Sequence, residues 1–193
     1  MTRRLGPRPL PLLDWADAHA KAIVRRRRLI RRAVIIAAGC ALLIDTGFAP
    51  RRPLLIWNVS ASAPVGLYLV RAPTGIEPGD MVAAKLAEPY APLADQRRYL
   101  PLNVPMIKRV VAIDHDVVCA DGGGVSVNGR WLAAGPLVDA KGRAMPSWRG
   151  CKPLSEGQVF LLMDEHLDSF DGRYFGVTDR QNIIGKVQLL WER

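Results

Sequence analysis

The residue types and spacing best suited to catalysis fall in three short segments. The first is Asn58-Val-Ser-Ala-Ser-Ala-Pro-Val-Gly-Leu-Tyr68, in which Ser62 is followed by Ala63 and Pro64. The proline biases the backbone ahead of it toward extended or turn conformations. A fixed turn there can hold a hydroxyl and a backbone N–H toward one substrate carbonyl. Read alone, the segment is also an ordinary polar lead into a strand. The second is Asn103-Val-Pro-Met-Ile-Lys-Arg-Val-Val-Ala-Ile113, where Lys108 sits within an apolar, β-branched run. Such a lysine is either an outward-facing charge or a desolvated amine. Desolvation lowers a lysine pKa, and a neutral amine deprotonates a serine near neutral pH. The third is Asp168-Ser-Phe-Asp-Gly-Arg-Tyr-Phe-Gly176, where Asp171 and Arg173 are close enough to pair and Ser169 offers a hydroxyl to a neighbouring amine. By itself this is also a structural turn.

Other chemistries find less support. His19, His115 and His166 are the three histidines, and none has metal-ligand spacing to a cysteine or another histidine. No metal or cofactor is expected. Gly122-Gly-Gly124 lies between strand-like runs, where a hairpin turn explains it, and no phosphate loop precedes a helix. No sequence context places His166 beside a particular serine for a Ser–His–Asp triad.

After residue 50 the chain becomes short β-like runs punctuated by glycine and proline. These are Leu54–Trp57, Gly66–Val70, Gly79–Ala84, Met106–Ile113, Val117–Ala120, Val125–Leu132, Gln158–Met163 and Ile184–Trp191. Asn128-Gly129 is the signature of a type I′ hairpin turn. Only residues 86–100 and 179–183 suggest helix within this part. The expected fold class is mainly β, an antiparallel domain that is open or barrel-like.

Charge separates the N-terminus from that domain. The net charge is +9 over 193 residues, but residues 1–32 hold ten Lys/Arg and only two acids. The remainder is therefore close to neutral, which argues against a nucleic-acid-binding domain. Asp14, at an N-cap position, heads a helix-forming stretch that runs into Ala33–Ile44, twelve apolar residues in succession. The expected organisation is a basic cytoplasmic tail at 1–32, a transmembrane anchor at 33–50 and an exported domain at 51–193. A cleaved signal peptide and a buried core helix are the competing readings of the apolar run. Cys40 lies within that run, and Cys119 and Cys151 lie in the exported part, where both a disulfide and free thiols remain open.

In this order and spacing the segments resemble the type I signal peptidase superfamily, serine peptidase family S26, with most likeness to its conjugative-transfer branch, the TraF peptidases. Ser62–Tyr68 matches the branch's Ser-x-Pro-x-Gly-Leu-Tyr, and Lys108–Ala112 its Lys-Arg-Val-x-Ala strand. Val125–Gly129, Ser169–Gly176 and Ile184–Val187 match the following strand and turn, the Ser-x-Asp-x-Arg-Tyr motif and the closing strand. The resemblance implies a signal-peptidase-like β-domain and a serine endopeptidase in which Ser62 attacks and Lys108 is the general base. It further implies Ser60 as an oxyanion donor beside the Ser62 N–H, Ser169 orienting the amine, and Asp171 with Arg173 bracing the loop. The implied partners are an exported precursor with small residues at −1 and −3, such as a conjugative pilin precursor, and the lipid bilayer. Leu54–Trp57 is the expected membrane-contacting segment, and the implied location is the inner membrane with the catalytic part periplasmic. In this branch, cleavage can be coupled to cyclisation. Ala63 departs from the methionine that general signal peptidases carry after the nucleophile. The alternative is a silent, membrane-tethered component of a secretion apparatus.

Overall fold

This computed structural model describes residues 11–48 and 52–193. The chain divides into two compact units, residues 1–51 and 52–193. In the first, one continuous helix, α1 (Pro11–Phe48), carries the basic block and the apolar run. It starts before Asp14, which lies inside the helix and not at its cap. Among the described residues no helix is long and apolar enough to cross a membrane, so they lend the expected anchor at 33–50 no support. The last two residues of that segment lie outside the described residues.

The second unit is built from strands β1 (Leu55–Asn58), β2 (Gly66–Arg71), β3 (Met81–Ala84), β4 (Met106–Ala112), β5 (Val117–Ala120), β6 (Gly124–Val127), β7 (Arg130–Ala134), β8 (Gly150–Pro153), β9 (Gln158–Leu162), β10 (Thr178–Asp179) and β11 (Ile183–Glu192). A seven-stranded sheet runs β1-β2-β11-β3-β4-β9-β10, and a four-stranded sheet runs β7-β6-β5-β8. Every ladder is antiparallel. The β-branched and aliphatic residues of β4 and β9 suit strands covered on both faces. Val82, Val110, Val159 and Leu161 form one apolar cluster, and Phe160 and Leu162 join Val118 and Val125 in another. β9 thus feeds two cores from its two faces.

Glycines set the closest approach between β2 and β11. A Cβ at Gly66 would lie 2.0 Å from the Trp191 carbonyl oxygen, and one at Gly185 would lie 2.1 Å from that of Arg71. The β6–β7 hairpin turns at Asn128 and Gly129, with φ of 50° and 78°, as a type I′ turn requires. Helix α2 (Tyr90–Gln96) is shorter than the 86–100 expected from sequence. Pro89 precedes it, and Arg98 takes the left-handed region at φ 61° just after it. A single 3₁₀ turn at Arg180–Asn182 occupies most of 179–183. β8, β10 and helix α3 (Gly172–Phe175) carry no periodic signal in the sequence, being two to four residues long.

β8 pairs with β5 so that Cys151 stands opposite Cys119, and the two form a disulfide across 32 residues of chain. Cross-linking a loop of that size restricts the unfolded chain and stabilises by about 2–4 kcal/mol. Thermal unfolding with and without reductant measures this. A midpoint unchanged by reduction would remove the bridge from the forces that hold the domain.

Candidate active site

Ser62 lies in the connection between β1 and β2, whose register pairs Asn58 with Gly66. The turn closes with the Ala63 N–H on the Ser60 carbonyl at 3.4 Å. Asn58, buried at the end of β1, receives the Ser60 N–H at 3.0 Å on Oδ1. Its Nδ2 donates to the carbonyls of Ser60, Ala63 and Pro64 at 2.9, 3.0 and 3.0 Å. The Tyr68 hydroxyl donates to the Pro64 carbonyl at 2.8 Å. The turn is therefore fixed by side chains on both flanking strands, and Ser62 is half-buried within it.

β4 lies between β3 and β9 in the sheet, which covers Lys108 to 3% exposure. Of its two readings, the desolvated amine is the one realised. Lys108 Nζ is 2.8 Å from Ser62 Oγ and 2.8 Å from Ser169 Oγ. Burial pushes the ammonium pKa down from 10.5 to about 8, with the nearby Arg173 acting in the same direction and Asp171 opposing both. A neutral amine has one lone pair and two N–H bonds. It can accept the Ser62 proton while donating to Ser169.

Ser60 Oγ stands 3.0 Å from Ser62 Oγ and accepts the Ser62 N–H at 3.4 Å. Ser169 is 1% exposed in the segment between β9 and α3, and its N–H meets the His166 carbonyl at 3.2 Å. Asp171 caps α3 through the Arg173 N–H and also accepts the Met163 N–H at 3.0 Å. The Arg173 Nε meets Asp171 Oδ1 at 2.8 Å, with both side chains fully buried. The rest of the guanidinium donates to the carbonyls of Met163, His166, Leu167 and Ala134. One ion pair thus ties β7 and the 163–167 segment to the start of α3, on either side of Ser169.

Ser60, Ser62, Lys108 and Ser169 open onto one cleft of about 880 Å³, whose apolar walls include Leu100, Val104 and Met106. His166 lines the same cleft. Among the described residues no group of three or more His, Cys, Asp or Glu could hold a metal ion. Leu54, Leu55 and Trp57 are exposed on and beside the edge strand β1, and the Trp57 ring lies 5.6 Å from that of Trp191. Reading the sequence alone gave no role to Asn58 or to Trp148, whose indole N–H donates to the Gly172 carbonyl at 3.0 Å. Asn58 had one available signal, an amide four residues ahead of Ser62. Trp148 had none.

The sequence profile described as signal peptidase, peptidase S26, matches residues 26–192. A plasmid transfer protein TraF from Escherichia coli is 32% identical over 180 residues, covering 86% of this chain and 99% of that protein. A second Escherichia coli plasmid transfer protein TraF is 32% identical over 171 residues, covering 81% and 93%. A signal peptidase I from Leptolyngbya laminosa is 31% identical over 87 residues, 45% of this chain and 40% of that one. The crystal structure of a signal peptidase I from Enterococcus faecalis V583 aligns with 61% of this chain at 18% identity and a TM-score of 0.37.

Proposed function

Given that this chain belongs to the signal peptidase family S26, we propose that it is a serine endopeptidase that cuts leader peptides from exported precursors with a Ser62–Lys108 dyad. The observation that carries this is a buried lysine amine 2.8 Å from a turn-held serine hydroxyl. Neutral Lys108 takes the Ser62 proton as Oγ attacks the scissile carbonyl. The oxyanion takes the Ser62 N–H and the Ser60 O–H, displacing the contact those two groups make with each other. The C–N bond then breaks, and the Lys108 ammonium returns its proton to the leaving amine. The same amine next deprotonates the water that hydrolyses the acyl-enzyme. Ser169 keeps the amine oriented through both halves.

The substrate in this reading is a pilin precursor of a conjugation apparatus, in keeping with two relatives named plasmid transfer protein. The Cys119–Cys151 bridge supports an extracytoplasmic place of work, since disulfides persist in oxidising compartments. The test is incubation of the purified protein with a synthetic peptide carrying Ala-x-Ala before the scissile bond, with products weighed by mass spectrometry. One cut after the second alanine is expected. Because only the neutral amine is a base, kcat/KM should fall about tenfold per pH unit below the Lys108 pKa and level off above it; that pKa is about 8. A rate flat across that pH would sink the lysine assignment. No cut at any pH, with peptide or precursor, would leave the non-catalytic assembly reading. A precursor product one water lighter than the linear fragment would report aminolysis and ring closure.

A further inference from the structure

We propose that Asn58 is a positioning residue of this site, holding Ser60 and the turn around Ser62 so that two oxyanion donors stand in a fixed relation. The inference rests on the reading of Ser62 as nucleophile and Ser60 as oxyanion donor. Asn58 is 7% exposed. Its carboxamide makes four bonds, all to main chain. It accepts the Ser60 N–H and donates to the Ser60 carbonyl, so both main-chain polar groups of the donor residue are tied to one planar group. It also donates to the carbonyls of Ala63 and Pro64 on the far side of Ser62. The nucleophile is thus bracketed between two segments that this one amide joins, beside the Ala63 N–H contact with the Ser60 carbonyl.

An amide suits the task because it combines one acceptor and two donor hydrogens at a single planar end. A carboxylate in its place would set anionic oxygen against three carbonyl oxygens. Aliphatic replacements would leave the Ala63 carbonyl and the Ser60 N–H without these partners and take one donor each from the Ser60 and Pro64 carbonyls. Tyr68 holds the Pro64 carbonyl independently at 2.8 Å, so losing Asn58 frees the Ser60 side of the turn more than the Pro64 side. The turn would survive with its oxyanion geometry loosened. Donors aimed in advance at the developing charge need no rearrangement at the moment of reaction. A shift of about 1 Å in such groups costs on the order of 100-fold in rate.

The experiment measures kcat and KM on the Ala-x-Ala peptide for the full chain. It compares Asn58→Ala in the wild-type and Ser60→Ala backgrounds, with Ser62→Ala as control and thermal unfolding recorded for each. Asn58→Ala should lower kcat by about 10- to 100-fold with KM held within about threefold. The fold-loss should be smaller by about fivefold or more in the Ser60→Ala background, because the donor that Asn58 positions is already gone. Equal losses in the two backgrounds, or a raised KM with kcat unchanged, would overturn the proposal. Should Asn58→Ala fail to fold, the isosteric Asn58→Asp takes its place in both backgrounds. Failure of both to fold makes Asn58 a scaffold residue, which also overturns it. Cleavage by Ser62→Ala would show instead that the nucleophile assignment has failed, and this proposal with it.

Discussion

Lys108→Met leaves the Ala-x-Ala peptide uncut while the protein stays folded. Removing the base from a nucleophile–base pair costs on the order of 10⁴-fold or more in kcat, since the two residues act as a unit. Methionine nearly matches the lysine stem in volume and brings no charge into the strand. The native lysine is costly there. Its pKa falls from 10.5 to about 8 on folding, so the buried ammonium weakens the fold at every pH below about 8, by roughly 3 kcal/mol. That cost is relieved as pH rises from about 8 to 10.5, where the unfolded chain still binds the proton and the folded chain has released it. Lys108→Met should therefore unfold at or above the wild-type temperature near neutral pH. Loss of cleavage with retained stability separates catalysis from folding. Cleavage by the variant at more than a small fraction of the wild-type rate would place the base elsewhere.

Arg173→Met should be the most damaging single change to the fold. It leaves the fully buried Asp171 carboxylate without its ion partner. It also strips hydrogen bonds from the carbonyls of Ala134, Met163, His166 and Leu167. Breaking a buried pair on one side costs about 3–5 kcal/mol, which lowers the unfolding midpoint by roughly 10 °C or more in a domain of this size. The pH dependence of the surviving activity supplies a second readout. Arg173 helps hold the Lys108 pKa down and Asp171 pushes it up. With the arginine gone, the rise of activity with pH should move to higher pH. Asp171→Asn should move it to lower pH while also destabilising, because it strands the arginine. Near-wild-type stability in Arg173→Met would show that the pair is incidental to the 163–173 segment.

The same two pairs show how far the sequence carries. Ser62, Lys108 and Ser169 stood out because each joined a reactive side chain to a local context, proline after a serine or β-branched neighbours around a lysine. The alternation of β2, β4, β9 and β11 and the Asn128-Gly129 turn are local too, since strand and turn preferences act between neighbours in the chain. The antiparallel β class and the order of the motifs were therefore legible. So was the separation of a basic N-terminus from a near-neutral domain.

Tertiary structure decided what depends on distance across the chain. Whether Lys108 was a solvated charge or a desolvated amine turned on β3 and β9 flanking β4, strands that lie far from it in sequence. The Cys119–Cys151 bridge waited on β8, a four-residue strand with no periodicity to announce it. The role of Asn58 depended on the path of the backbone it binds, which residue type alone does not encode. Residue type and neighbours fixed which groups could react. Their protonation, their pairing and the aim of their hydrogen bonds came from segments that only folding brings together.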